Sequence, residues 1–149
     1  MSLFNKNKNK NVIGRDDAEK QVEIFVDYYD IEVGEEGTNP DHQENIDASL
    51  KKLVRHVESG RLEISLDDEQ KIEIIQHIKK SEGDVKQLKY KILNGRAKKE
   101  MKNAKDGDFH GKMYALVGSL CGTSGNGLAN LTGSDLSVCE CLGALFLIV

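Results

Sequence analysis

The side chains of this chain that could do chemistry are its histidines, its cysteines and a few paired aspartates. Zinc sites need histidines at i and i+4 of a helix, or a Cys-x-x-Cys knuckle, so that neighbouring ligands converge on one ion. The chain has neither spacing. Its four histidines stand alone, at His42, His56, His77 and His110. The sequence therefore predicts no metal site and no cofactor.

The cysteines and aspartates also lack the neighbours that catalysis needs. Cys121, Cys139 and Cys141 lie in or beside apolar runs, and no histidine adjoins them as an activating base. An odd number of cysteines in a chain without a signal-peptide pattern favours reduced, buried thiols and a cytoplasmic location. We interpret Asp67–Asp68 as a hydrated turn and Asp106–Asp108 as a helix cap, because the rest of a calcium-binding loop is missing. We expect a protein that is not an enzyme.

Composition narrows the classes of partner. At 149 residues the chain suits one domain. Its net charge of -4 gives no general attraction to nucleic acid, and an aromatic content of 5% offers few side chains for base stacking. The apolar run at 142–149 is far shorter than the about 20 residues that span a bilayer. We therefore expect neither a membrane nor, in general, a nucleic acid as partner.

Charge is nevertheless divided unevenly along the chain. Residues 21–50 hold nine acidic side chains and no lysine or arginine, whereas residues 79–105 hold ten basic side chains against three acidic ones. We interpret the two regions as solvated faces that attract each other within the fold or between copies of the chain. The alternative is that the basic stretch contacts phosphates in a nucleic-acid-binding regulatory module.

The first half of the chain predicts a tail, strands and one helix. Residues 1–20 are expected to form a flexible N-terminal tail, and residues 21–149 a single domain. Alternating apolar residues at 22, 24 and 26 predict one long strand or two short ones over 21–33. Asn39 and Pro40 then form a helix start, and Gly60 is expected just past the helix end.

The middle of the chain predicts an antiparallel sheet. The alternation over 62–66 and 72–78, with DDEQ between the two runs, favours a hairpin. A helix over 65–80, begun by Ser65 and Asp68, is the alternative. Leu88, Tyr90 and Ile92 would continue the sheet with a period of two.

The last third of the chain predicts helices. Apolar residues at helical spacing indicate a short basic helix over 95–105 and a strongly amphipathic one over 109–120. Thr132 followed by Asp135 matches the start of a final helix. The fold class we predict is α+β: a small antiparallel sheet packed against about four helices, with a helical C-terminal half.

The order of these C-terminal elements resembles a known group of proteins. LKYKIL as a strand, GRAKKEM and MYALVGSLCG as helices, and LTGSDLSVCECLGALF as the last helix look like bacteriophage tail assembly chaperones, in which a Leu-Thr-x-x-Asp-Leu segment commonly leads into the final helix. The match covers about the last 60 residues. The resemblance implies a small factor in the host cytoplasm that binds the tape measure protein, delivers it to tail-tube protein and aids tail morphogenesis.

An apolar final helix offers a surface for such a client. The side chains we assign to that contact are Leu142, Leu145, Phe146 and Ile148. The alternative is that they are ordinary core, or an interface between copies of the chain. Two other functions remain open at this point: a structural component of the virion or its neck, and the nucleic-acid-binding module described above.

Overall fold

The computed structural model describes residues 12–31, 40–81, 86–95, 99, 109–122 and 131–148. These residues form an α+β fold with a helical C-terminal half, as predicted. The helices are α1 (Arg15–Tyr28), α2 (Pro40–Glu58), α3 (Phe109–Cys121) and α4 (Gly133–Ile148). The strands are β1 (Leu62–Leu66), β2 (Ile72–His77) and β3 (Gln87–Tyr90).

The three strands form an antiparallel sheet with β2 in the middle. The predicted hairpin is confirmed, and the alternative helix over 65–80 is wrong. Its turn is closed by the Asp67 carboxylate, whose Oδ1 accepts hydrogen bonds from the amides of Glu69 at 2.8 Å and Lys71 at 2.9 Å. Alternate residues of both strands are buried. The alternation of apolar and polar residues in the sequence therefore indicates which face of the sheet packs against the core.

The predicted strand over 21–33 is wrong, because residues 15–28 form α1. The segment also contains apolar residues at helical spacing. In the structure these residues, Ala18, Val22 and Phe25, are buried on one side of the helix. Acidic residues in the first turn stabilise the positive end of the helix. The expected flexible tail is therefore wrong for residues 15–20, which are the first turns of α1, while residues 1–11 lie outside the described part of the chain.

Helix α2 is confirmed, and so is its end at Gly60. The Gly60 amide donates to the Val57 carbonyl at 3.1 Å, and the Arg61 amide donates to the His56 carbonyl at 3.0 Å. This pair of bonds requires a left-handed residue between them, and Gly60 has φ +76. Asn39, the expected cap at the other end, lies outside the described residues.

The helices pack against one another and against the sheet. Helix α4 packs against α2 and α3, α1 packs against α2 and β1, and α3 packs against β3. The inner face of the sheet closes the same core. The largest fully buried side chains come from nearly every element: Phe25, Leu53, Leu62, Ile64, Ile74, Met113, Leu116, Leu120, Leu142, Leu145 and Phe146.

Helices α3 and α4 approach closely at Gly143. A Cβ atom at this position would overlap Met113 Cγ and lie 3.0 Å from Val117 Cγ2. Met113 and Val117 are buried, so moving either side chain aside would disturb packing elsewhere in the core.

We expect Gly143→Ala to lower the free energy of unfolding by about 1–2 kcal/mol, because overpacking outweighs the higher helix propensity of alanine. Urea unfolding followed by circular dichroism at 222 nm measures the change. Ala144→Gly, one residue along the same helix, is the control for helix propensity alone. A Gly143→Ala variant more stable than the parent protein would contradict the close packing.

Candidate functional site

Asp135, in the first turn of α4, is fully buried and links this helix to β2 and to the loop that follows it. Its carboxylate accepts hydrogen bonds from three consecutive amides after β2: Lys79 at 2.8 Å, Lys80 at 2.8 Å and Ser81 at 2.7 Å. Its own carbonyl accepts a bond from Gln76 Nε2 at 2.7 Å. Asp135 thus joins the start of α4 to the end of β2, more than fifty residues away in the sequence.

The sequence predicts Thr132 and Asp135 as the start of the last helix, and the structure shows a further role for Asp135. The helix begins there as expected, but the Asp135 carboxylate reaches the loop after β2. The Thr132 amide donates to Ser81 Oγ at 2.8 Å, which adds a second link to the same loop. The sequence alone identified the helix start and missed the loop of residues 79–81 as its partner.

The charge of Asp135 is stabilised where it lies. Burial is the largest influence and raises the pKa of this carboxyl, but the hydrogen bonds from the amides of residues 79–81 together outweigh it and hold the pKa below its usual value. The Asp135 carboxylate is therefore ionised and accepts three hydrogen bonds, and its role is to hold α4 against the loop after β2.

A second polar cluster lies between the sheet and α4. The Tyr90 hydroxyl donates to Gln76 Oε1 at 2.7 Å and contacts Cys139 Sγ at 3.3 Å, and Cys139 Sγ donates to the same Gln76 oxygen at 3.2 Å. Burial raises the pKa of Cys139 to about 11 and that of Cys121 to about 12. The thiols are therefore protonated at neutral pH, which makes them poor nucleophiles.

Cys141 is the third thiol, and it is also buried. Its Sγ donates to the Ser49 carbonyl at 3.1 Å, and burial raises its pKa to about 12. Gln76 could have been found from the sequence, because it is a polar residue on the inward face of β2, where the other residues are isoleucines.

His56 and Ser137 bring a potential base close to a potential nucleophile. His56 Nε2 lies 3.5 Å from Ser137 Oγ, and its Nδ1 lies 3.5 Å from Arg61 Nη1. A guanidinium can only donate, so Nδ1 is the acceptor and Nε2 carries the proton. The imidazole then faces Ser137 as a donor, which is the wrong tautomer for activating a hydroxyl.

His56 also has a low affinity for protons. Burial, followed by the nearby charges of Arg61 and Lys52, lowers its pKa from 6.5 to about 4. The unfolded chain therefore binds a proton at His56 between pH 6.5 and pH 4 while the folded chain does not, so folding stability falls as the pH drops through this window.

We expect this loss to reach about 2–3 kcal/mol by pH 4, since a tenfold change in proton affinity is worth about 1.4 kcal/mol. Urea unfolding at pH 7, 6, 5 and 4 measures it, and His56→Gln should flatten that part of the profile. His77→Gln, a half-buried histidine paired with Glu63 at 3.1 Å, is the control and should leave the slope in place. An unchanged slope in His56→Gln would contradict the assignment.

Three of the four side chains predicted to contact a partner are buried in the core of the chain. Leu142, Leu145 and Phe146 are fully buried in the core. The Phe146 ring lies 5.6 Å from the ring of Phe25 and 5.7 Å from that of Tyr29, measured between centroids. These three residues therefore form no exposed ridge. Ile148 ends α4, and its side chain lies outside the described residues.

Several other predicted features also lie outside the described residues. They are most of the basic helix over 95–105, the aspartates at 106 and 108, the side chains of His42 and His110, and most of the glycine-rich connection at 122–127. Within the described ranges, no three His, Cys, Asp or Glu side chains come together as ligands for one metal ion. The same ranges contain no helix that is both long and apolar enough to cross a membrane.

Comparison with known proteins gives no relative. No protein family model, no curated protein and no solved structure matches this chain.

Proposed function

We propose that this chain is a bacteriophage tail assembly chaperone, which binds a tape measure protein in the host cytoplasm and forms or breaks no covalent bond itself. The observation that supports this proposal is the order of the C-terminal elements. Strand β3, helix α3 and helix α4 follow one another as in the family that the sequence resembles, and α4 begins inside the Leu-Thr-Gly-Ser-Asp-Leu segment. Asp135 of that segment has a structural role, which another protein of the same architecture could also need.

Burial of the α4 side chains changes how the proposed chaperone would hold its client. Leu142, Leu145 and Phe146 keep the fold together, so the client contact lies on surface outside these three residues. Ile148 and the segments that flank α4 remain candidates within the same proposal. The client class is unchanged: a long, helical tape measure protein with apolar stretches that aggregate when uncovered.

Co-expression tests the proposed function. We expect a gene for a tape measure protein close to the gene for this chain, and we expect that protein to be recovered in the soluble fraction, bound to this chain, when the two are produced together. The control replaces this chain with an unrelated small protein. A tape measure protein that is equally soluble with either companion would refute the proposal. This chain should also be absent from purified virions, which separates a chaperone from a structural neck component.

A nucleic-acid-binding role is a second candidate, and one observation favours it. Among the described residues of the basic stretch, six lysines are exposed: Lys79, Lys80, Lys86, Lys89, Lys91 and Lys99. Such a role predicts a gel shift with duplex DNA or RNA that weakens steeply between about 50 and 200 mM salt. No shift at the lower salt concentration would exclude it.

A further inference from the structure

The outer face of the sheet carries charges of opposite sign on its two edge strands. Alternation turns Leu62, Ile64, Ile74 and Tyr90 towards the core, so their neighbours along the strands turn outwards. On that outer face Glu63 of β1 and Lys89 of β3 are exposed, and Ile75 of β2 lies half-buried between them.

The strand register places these three residues in one row. Glu63 is directly opposite Ile75, and Ile75 is directly opposite Lys89. With neighbouring strands about 4.8 Å apart, the two charged residues stand about 10 Å from each other on either side of the isoleucine. The row therefore runs from acidic through apolar to basic across the sheet.

We propose that this face binds the same face of a second copy of the chain, about a two-fold axis that runs along β2. The rotation exchanges the positions of β1 and β3, so each Glu63 meets Lys89 of the other copy, and the two Ile75 side chains meet on the axis. An axis across the strands would instead place Glu63 against Glu63. Sheets that pack face to face keep their strands nearly aligned, which the axis along β2 satisfies.

One charge on this face opposes the association. Glu73 lies on β2, so the axis brings it opposite Glu73 of the other copy, and this like-charge contact weakens the dimer. His77 is paired with Glu63 of its own chain, with Nε2 and Oε1 3.1 Å apart. This pair holds the Glu63 carboxylate on the outer face.

The size of the face sets the strength of the association. Three strands of about five residues cover roughly 14 by 16 Å, well below the about 800 Å² that each partner contributes to a stable dimer. We therefore expect a weak dimer, with a dissociation constant of hundreds of micromolar, that weakens further as salt screens the charges. The proposed dimer does not depend on the proposed chaperone function.

Sedimentation of the full chain, from about 20 µM to 1 mM in low salt, tests the proposal with paired charge variants. Glu63→Lys and Lys89→Glu should each weaken dimerisation at least tenfold, because each places like charges opposite each other. The matched controls are Glu23→Lys on α1 and Lys51→Glu on α2, which make the same net-charge changes at exposed positions away from the sheet. These controls should dimerise like the parent protein.

Mixing the two sheet variants is the decisive measurement. In the mixture, each variant offers the charge that the other lacks, so Glu63→Lys and Lys89→Glu should form a one-to-one heterodimer at concentrations where each alone self-associates at least tenfold more weakly than the parent protein. The double variant E63K/K89E should dimerise again. If either single variant fails to fold, Glu63→Gln removes the charge with little change in shape and should weaken the dimer about threefold.

A chain that stays monomeric at 1 mM in low salt would overturn the proposal. So would a dimer that the Glu63 and Lys89 variants leave unchanged, which would place the contact on another surface. Sheet variants that behave like their net-charge controls would also overturn it, since general repulsion between copies with a net charge of -4 would then explain the data.

Discussion

Phe146→Ala should lower the free energy of unfolding by about 4 kcal/mol, the largest loss we expect from a single apolar truncation in this chain. Phe146 is fully buried, and its ring packs against Phe25 and Tyr29. Alanine would leave a cavity among helices and lose the contacts between aromatic rings. Because the chain contains no tryptophan, urea unfolding is best followed by circular dichroism at 222 nm.

The same variant separates two interpretations of the apolar end of the chain. A core residue costs stability when truncated, whereas an exposed contact residue costs binding and leaves the fold intact. Leu147→Ala is the matched control, since Leu147 is the next residue of α4 and only partly buried. It should cost clearly less stability than Phe146→Ala. If Phe146→Ala unfolded at the same urea concentration as the parent protein, the end of α4 would not be packed as described.

Asp135→Asn should lower the free energy of unfolding by about 3 kcal/mol, although it changes a single atom. The amides of residues 79–81 point at the carboxylate, and an amide side chain would turn one oxygen acceptor into a donor that faces them. Buried donors left without an acceptor are costly, and hydrogen bonds to a charged group are the stronger ones. Glu140→Gln, which removes a charge from the same helix, is the control and should stay within about 0.5 kcal/mol.

The pH dependence of Asp135 gives an independent check. Its pKa is held below the usual value in the folded chain, so the unfolded chain takes up the proton first, and the stability it contributes is lost as the pH falls below about 4. This window lies below the one assigned to His56. In Asp135→Asn the stability should therefore depend less on pH below pH 4, while the change between pH 6.5 and pH 4 remains. A loss of the upper slope instead would contradict the assignment of the two groups.

Most elements of the fold could be predicted because their signals are local. The end of α2 depends on one glycine that must adopt a positive φ, and the hairpin depends on alternation across a short turn. Segment 21–33 shows the limit of such signals. Val22, Ile24 and Val26 fit a strand, Ala18, Val22 and Phe25 fit a helix, and the choice is made by packing against α2 and β1.

The site residues were predicted less well, because their roles depend on distant partners. An apolar run such as residues 142–147 has the same composition whether it packs inside one chain or against another. Only the position of α4 between α2 and α3 shows that Leu142, Leu145 and Phe146 are core. Asp135 was identified as part of a helix start, and nothing near it in the sequence points to the amides of residues 79–81.

By itself, the sequence determined the fold class, the hairpin, three of the four described helices and the start of α4, since each depends on contacts within a few residues. The tertiary structure alone decided that residues 15–28 are helical, that the apolar end of the chain is buried, and that a carboxylate of α4 anchors the loop after β2. The physical reason is that burial and buried hydrogen bonds are properties of pairs of segments, and those pairs exist only once the chain has folded.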